Sequence, residues 1–209
     1  MKPLPESSSI AIAAVVDRAF LAGLHVMLRS LLNTARRPAD VHLYVFHEDC
    51  STEDLRQIQA TVDNCSPTWS VELTFSAADL DAFAHFRKLQ GSLLPYQALV
   101  VPELVSESRL LLLDADLLIL SGLDDWLTTP FAEPIAAVSF SSIGEALASD
   151  RDLLVEKGYD LADPYFNTGV VTIDCDWWET EQLTDRCPSL RQLTQSSWPL
   201  LTSRCSTLC

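Results

Sequence analysis

The sequence is short of basic residues. Its 209 residues include 14 lysines and arginines against 29 aspartates and glutamates, and the formal net charge is −15. Nucleic acids and anionic lipid surfaces are bound through basic faces, because their phosphates must be neutralised. The composition therefore argues against both kinds of partner. A nucleotide ligand stays possible if a metal ion bridges its phosphates to acidic side chains.

Long apolar runs are also absent. No run approaches the roughly 20 residues that cross a bilayer, and residues 1–9 lack the apolar core of a secretory signal. We therefore expect a cytoplasmic protein without a transmembrane segment. Six cysteines occur, none of them in a CxxC pair, and a reducing compartment favours free thiols over disulfides or zinc ligands.

The apolar content is sufficient for the core of one domain, since 48% of the residues are hydrophobic. Short runs typical of strands occupy residues 10–16, 41–46 and 71–75, and helical spacing of apolar residues separates them. Right-handed crossovers make this β-α-β-α-β order a mostly parallel sheet flanked by helices. Ligands of such α/β sheets collect at the carboxyl ends of the strands.

The most informative motif is Asp114-Ala115-Asp116, inside the apolar run of residues 109–120. In an extended segment, residues i and i+2 project to the same side, so the pattern predicts that both carboxylates face one point. Two ionised carboxylates in an apolar setting are costly unless a hard cation offsets their charge. The alternative is a strand that ends at Asp114 and turns into solvent. We favour a divalent metal site, because four apolar residues follow Asp116.

A second polar motif, Asn167-Thr168-Gly169, comes directly before a predicted strand at residues 170–173. A glycine beside small polar groups lets the backbone approach a ligand closely. Judged by its residues alone, the motif is more typical of a tight loop in which the asparagine bonds its own backbone.

Taken in order, these motifs resemble glycosyltransferase family 8. The resemblance rests on a first strand ending in Asp17, the Leu-Asp-Ala-Asp strand with a Leu-x-x-Trp after it, and Tyr-Phe-Asn-Thr-Gly-Val, and it spans roughly residues 10–178. It implies a nucleotide-diphosphosugar transferase fold of the A type and a UDP-sugar donor. It also implies Mn²⁺ or Mg²⁺ as cofactor, and transfer of a hexose with retention of configuration to a saccharide or other hydroxyl acceptor.

The resemblance assigns the nucleotide to the end of the first strand. Asp17 is the implied partner of the uracil ring, Val15 supplies a backbone contact, and Ala115 belongs to the same binding set. Phe20 stands where the family usually has a stacking tyrosine. A phenylalanine ring can stack on a base but has no hydroxyl to donate.

The same resemblance assigns the metal to Asp114 and Asp116, and the donor sugar and acceptor to Asn167 and Thr168. A metal at this place acts as a Lewis acid that stabilises UDP as a leaving group. One departure concerns the segment before the metal strand, where the family commonly has Tyr-Arg. Here Gln97 takes the arginine's catalytic position, and a neutral amide cannot supply its charge.

A larger departure lies near the C-terminus. The family's Asp-Gln-Asp segment and its His-x-x-Gly-x-x-Lys-Pro-Trp motif are both missing, and all four histidines precede Asp114. All 29 acidic residues lie at or before Asp185, and residues 186–209 hold three of the six cysteines. We expect a nucleotide-sugar-binding domain over residues 8–185 that is incomplete at its C-terminal side. Residues 186–209 are expected to form a non-native or disordered tail.

Two other functions stay open. The first is a remnant that binds nucleotide and transfers nothing, which a sugar-transfer assay separates from an enzyme. The second is a haloacid-dehalogenase-like phosphohydrolase, in which the first aspartate of an Asp-x-Asp motif is the nucleophile and the second is the general acid. That site normally lies near the N-terminus and has Thr or Val where this mid-chain motif has Leu118. UDP binding that requires Mn²⁺ is the observation that would favour the transferase over the hydrolase.

Overall fold

The computed structural model describes residues 10–65, 68–86, 88–89, 91–125, 129, 133–189 and 205–207. Its centre is a seven-stranded sheet with the order β3-β2-β1-β4-β6-β5-β7. The strands are β1 (Ile10–Asp17), β2 (Asp40–Glu48), β3 (Ser70–Ala77), β4 (Arg109–Asp114), β5 (Ile135–Ser142), β6 (Pro164–Asp174) and β7 (Cys205–Thr207). The α-helices in these ranges are α1 (Leu21–Thr34), α2 (Thr52–Asp63), α3 (Val101–Leu104), α4 (Ala148–Glu156), α5 (Cys175–Thr180) and α6 (Leu183–Ser189).

The three strands predicted in the N-terminal half are confirmed, each slightly longer than its apolar run. β1 is almost wholly apolar and pairs in parallel with β2 on one side and β4 on the other. β2 in turn pairs in parallel with β3. Such continuous apolar strands form where both faces of a parallel sheet are covered.

Helices α1 and α2 cover one face of this half. α1 buries Leu24, Leu28 and Leu31 along one side, as the helical spacing of its leucines predicts. α2 begins with a capping box: the Asp54 N–H donates to Ser51 Oγ at 3.2 Å, and the Ser51 N–H donates to Asp54 Oδ2 at 2.8 Å. The opposite face packs on a short 3₁₀ segment, Leu94–Leu99, and on α5.

Strand β6 reverses the direction of the sheet. It pairs antiparallel with both β4 and β5, and Leu113 lies opposite Val170. The sheet is therefore mixed but mostly parallel, in agreement with the expected fold class. Because β6 runs backwards, its first residues lie at the same edge of the sheet as the carboxyl ends of β1 and β4.

The expected extended geometry of the Asp114-Ala115-Asp116 motif is wrong. β4 ends at Asp114, and Ala115 and Asp116 form a turn. The two carboxylates are therefore not presented by the alternation of one strand. The apolar residues after the turn do not enter solvent as a free loop either, because Leu117 and Ile119 pack on the core beneath α1.

The C-terminal expectations fall largely outside the described residues. Of residues 186–209, the structure describes the end of α6 and β7, which pairs in parallel with β5. Of residues 123–127, the structure describes Leu123, Asp124 and Asp125, and the two aspartates are helical. No helix in the described ranges is long and apolar enough to cross a bilayer.

Candidate functional site

The acidic side chains of the predicted site gather at one edge of the sheet. Asp114 is the last residue of β4 and lies beside Val15 of β1 in the parallel register. Asp17 ends β1 two residues further along. Neighbouring strands therefore deliver Asp17 and Asp114 to the same edge, as the rule for ligand sites at carboxyl strand ends requires.

Asp114 and Asp116 interact electrostatically. Partial burial raises the pKa of the Asp114 carboxyl above its ordinary value, because it disfavours the charged form. The negative charge of Asp116 raises that pKa further. Both side chains still reach solvent. In the part of the chain that the structure describes, neither carboxylate forms an ion pair, and no group of three His, Cys, Asp or Glu residues could hold a metal.

Gly169 lets Asp114 and Asn167 approach each other. A Cβ atom added at Gly169 would lie 2.6 Å from Asp114 Oδ2 and 2.8 Å from Asn167 Oδ1, distances that no real side chain tolerates. The Gly169 N–H donates to Asn167 Oδ1 at 2.6 Å. The asparagine thus bonds its own backbone, as its residues alone suggest. That bond also holds the Asn167 side chain next to the Asp114 carboxylate. Thr168, between Asn167 and Gly169 in the sequence, is exposed.

Asp17 accepts backbone hydrogen bonds at the start of the helical layer. Its Oδ1 accepts the N–H groups of Ala19 and Phe20, at 2.8 and 3.1 Å, and so caps the 3₁₀ turn that leads into α1. The second oxygen, Oδ2, can accept a hydrogen bond from a ligand. Phe20 is 51% exposed, so its ring presents a face to solvent. Val15 is half-buried just before Asp17.

A cavity of about 480 Å³ opens beside Asp17, at the carboxyl ends of β1 and β2. This volume is in the range of pockets that hold small ligands. Five charged side chains of this cavity were not predicted from the sequence: Arg18, Glu48, Asp49, Asp81 and Lys88. The position of Glu48 and Asp49 at the end of β2 is the signal that could have identified them, since they follow the strand next to β1.

Gln97 is placed differently from the expectation for a catalytic residue. It lies in the 3₁₀ segment Leu94–Leu99, is 1% exposed, and its Oε1 has no hydrogen-bond partner among the described residues. A buried amide must move before it can touch a ligand. The role of Gln97 stays a prediction.

A second cavity, also of about 480 Å³, lies at the opposite edge of the sheet, where Ser106 and Glu107 precede β4. His42 bonds there, with Nδ1 3.1 Å from Glu107 Oε1 and Nε2 2.8 Å from Thr74 Oγ1. The Tyr44 hydroxyl donates to Glu107 Oε2 at 3.0 Å. This network commits His42 to the far edge, away from Asp114.

Comparison with known proteins identifies the relatives of this arrangement. The model of the family described as "Glycosyl transferase family 8" matches residues 11–206. No curated protein matches the sequence closely enough to count as a relative. The fold is that of the GT-A nucleotide-sugar transferases, as the solved structures of similar shape show.

Three such structures illustrate the likeness. The galactosyltransferase LgtC, solved with donor and acceptor sugar analogues, has a TM-score of 0.71 at 17% identity, over 91% of this chain and 66% of LgtC. GlyE of Streptococcus pneumoniae TIGR4 has a TM-score of 0.64 at 17% identity, over 97% of this chain and 45% of GlyE. Core-mannan synthase A of Aspergillus fumigatus, in a Mn/GDP form, has a TM-score of 0.58 at 11% identity, over 95% of this chain and 68% of the synthase. The chain thus spans just under two thirds of LgtC.

Gly169→Ala tests the packing of the site. The added methyl group would displace Asp114 and Asn167, so we expect Mn²⁺ affinity to fall about tenfold or more while the sheet stays intact. Mn²⁺ titration followed by electron paramagnetic resonance measures the affinity. Gly144→Ala is the control, because its Cβ would meet its nearest atom, Leu161 O, at 3.2 Å, where a small shift suffices. Equal affinities for the two variants would contradict the proposed role of Gly169.

The raised pKa of Asp114 gives a pH-dependent prediction for the metal-free protein. The folded chain holds this proton at pH values where the unfolded chain has lost it, so unfolding free energy falls as pH rises through the raised pKa. Relative to Asp114→Asn, the wild type should lose stability as pH rises above the ordinary aspartate pKa of about 3.9, and not below it. Urea denaturation across this range measures the difference. A difference that does not vary with pH would refute the assignment.

Proposed function

The chain belongs to glycosyltransferase family 8, and on that premise we propose that it transfers a hexose from a UDP-sugar to a hydroxyl group of a saccharide or another acceptor. We further propose that the transfer requires Mn²⁺ or Mg²⁺ and retains the configuration of the sugar. The family match along residues 11–206 and the GT-A fold support a transferase of this kind.

The observation that carries the proposal is the pairing of two features at one sheet edge. Asp114 and Asp116 bring two interacting carboxylates to the end of β4. Asp17, on the neighbouring strand, lines a cavity of about 480 Å³. A nucleotide with its base in that cavity carries its phosphates towards the carboxylates, so one ligand can use both features.

The donor set fits a divalent cation. Burial and the neighbouring charge of Asp116 raise the pKa of Asp114, and two carboxylates so placed favour a hard cation that takes oxygen ligands. Asp114 and Asp116 would supply two of these ligands, which leaves the other positions to diphosphate oxygens and water. When bound, such a cation neutralises the diphosphate and stabilises UDP as a leaving group. The Mn/GDP form of core-mannan synthase A is an instance of a metal with a nucleotide on this fold.

The remaining side chains have roles that follow from their free groups. Asp17 has already used Oδ1 on two backbone N–H groups, so Oδ2 would accept the N–H of uracil. The exposed ring of Phe20 would stack on the base. Asn167 has its oxygen on the Gly169 N–H, so its amide NH₂ would donate to the sugar. The exposed Thr168 hydroxyl would contact the donor sugar or the acceptor.

The second candidate function is nucleotide binding without transfer. It is favoured by the absence, among the described residues, of a third protein ligand for the metal. It is also favoured by the neutral, buried Gln97 at the position where the family commonly has arginine. The phosphohydrolase alternative gains no support from the family match or from the fold.

Asp114→Ala and Asp116→Ala test the metal assignment. Each variant removes one of the two ligands, so we expect UDP affinity in the presence of Mn²⁺ to fall about tenfold or more, to the metal-free level. Thermal stability should change little, because each change also removes repulsion between the carboxylates. Isothermal titration calorimetry of UDP measures the affinity.

Asp125→Ala is the matched control for both variants, because Asp125 is exposed and pairs with Arg37 at 2.7 Å. It should bind UDP and Mn²⁺ as the wild type does. Unchanged UDP affinity in the Asp114 and Asp116 variants would remove the metal from the proposal.

The rate of transfer separates the two candidate functions. With two protein ligands among the described residues and the neutral Gln97 at the family's arginine position, the donor is poorly oriented, so transfer from UDP-glucose or UDP-galactose should be slower than about 1 per second. A radiolabel transfer assay with a panel of saccharide acceptors measures the rate. Faster turnover would mean that further residues complete the site, and complete inactivity with intact UDP binding would favour nucleotide binding alone.

A further inference from the structure

The segment that follows β4 lies along helix α1. We call residues 115–124 the strap. At its start, a Cβ atom added to Gly23 of α1 would lie 2.9 Å from Ala115 O and 3.2 Å from Asp116 Cα. The backbone of Asp116 is therefore in direct contact with the first turn of α1.

The middle of the strap is bonded to the same helix. The Ile119 N–H donates to Ser30 Oγ at 3.0 Å, while Ser30 Oγ donates to Met27 O at 3.0 Å. Alternate strap residues point in opposite directions: Ile119 packs on the core, whereas Leu118 and Leu120 are 61% and 84% exposed. The strap is thus held to α1 by a hydrogen bond and by its inner apolar side chains.

The far end of the strap is fixed by a buried carboxylate. Asp124 is 7% exposed, and its Oδ1 accepts the N–H groups of Arg36 and Arg37, at 3.1 and 3.0 Å, and the Trp69 Nε1–H at 3.3 Å. These donors lie just after α1 and just before β3. A Cβ at Gly122 would lie 2.5 Å from Thr34 O, so the strap also touches the last turn of α1.

We propose that Asp124 is a positioning residue for the metal-ligating Asp116. From Gly23 to Thr34 the helix extends about 16 Å, and the strap is attached at both ends and in the middle. This inference rests on the proposed metal site. Asp124 acts through the backbone and touches no ligand.

The need for such an anchor follows from the end of β4. Strand pairing with β1 stops at Asp114, so the sheet does not hold Asp116. Repulsion between the two carboxylates would drive a free loop apart. Contacts along a rigid helix keep Asp116 near Asp114 before any cation arrives, and this preorganisation is what lets two ligands suffice for binding.

Asp124→Ala, with Asp125→Ala as the matched control, tests the anchor. We expect faster amide hydrogen exchange at residues 115–119 in metal-free Asp124→Ala and about tenfold weaker Mn²⁺ binding. Binding of uridine, measured without metal, should stay unchanged, because no residue of the strap lines the cavity beside Asp17. The control should match the wild type in all three measurements.

Ser30→Ala is a second variant, needed because Asp124→Ala leaves buried N–H groups without an acceptor and can fail to fold. It removes the acceptor of the Ile119 N–H and keeps a good helix former. Exchange at Ile119 should rise and Mn²⁺ affinity should fall several-fold, with both restored in Ser30→Thr, which keeps the hydroxyl.

The outcomes separate this inference from the proposed function. A wild-type chain that binds no Mn²⁺ overturns the metal site and the positioning role together. A wild type that binds Mn²⁺ no more tightly than folded Asp124→Ala or Ser30→Ala overturns the positioning role alone. Equal losses of Mn²⁺ and uridine affinity would show a general structural defect and would also overturn it.

Discussion

The repulsion between Asp114 and Asp116 is the constraint on which the rest of the site depends. Burial and the neighbouring charge of Asp116 both raise the pKa of Asp114, so the two carboxylates at the end of β4 are unfavourable without a cation. Gly169 makes room for the Asp114 carboxylate, and α1 contacts the backbone of Asp116. The parallel pairing of β1 with β2 brings together the strand ends that line the cavity beside Asp17.

The regular elements could be predicted from the sequence because their signals are local. The apolar run of β1, the helical spacing of α1 and the Ser51 capping box each fix a structure without help from distant residues. Their order also predicts the sheet edge at which Asp17 and Asp114 meet, since right-handed crossovers leave few arrangements. The family resemblance, carried by short motifs in the right order, is confirmed by the match along residues 11–206.

The rest depends on contacts between distant residues. The apolar residues after Asp116 fit a continued strand and a segment packed against a helix equally well. The sequence therefore could not show that β4 ends at Asp114. Nothing in the sequence around Gly169 indicates that the Asp114 carboxylate of the neighbouring strand β4 lies against it. Asp124 is one of two adjacent aspartates, and its role follows from Arg36, Arg37 and Trp69, donors that are far from it in the sequence.

In the proposed function, one bound cation links Asp114 and Asp116 to the diphosphate of UDP. Mutual enhancement of the two ligands tests it most directly, because coupling between binding sites is reciprocal. Mn²⁺ affinity should be measured with and without UDP, and UDP affinity with and without Mn²⁺. Each ligand should raise the affinity of the other by the same factor, about tenfold or more. Independent binding of Mn²⁺ and UDP would contradict it.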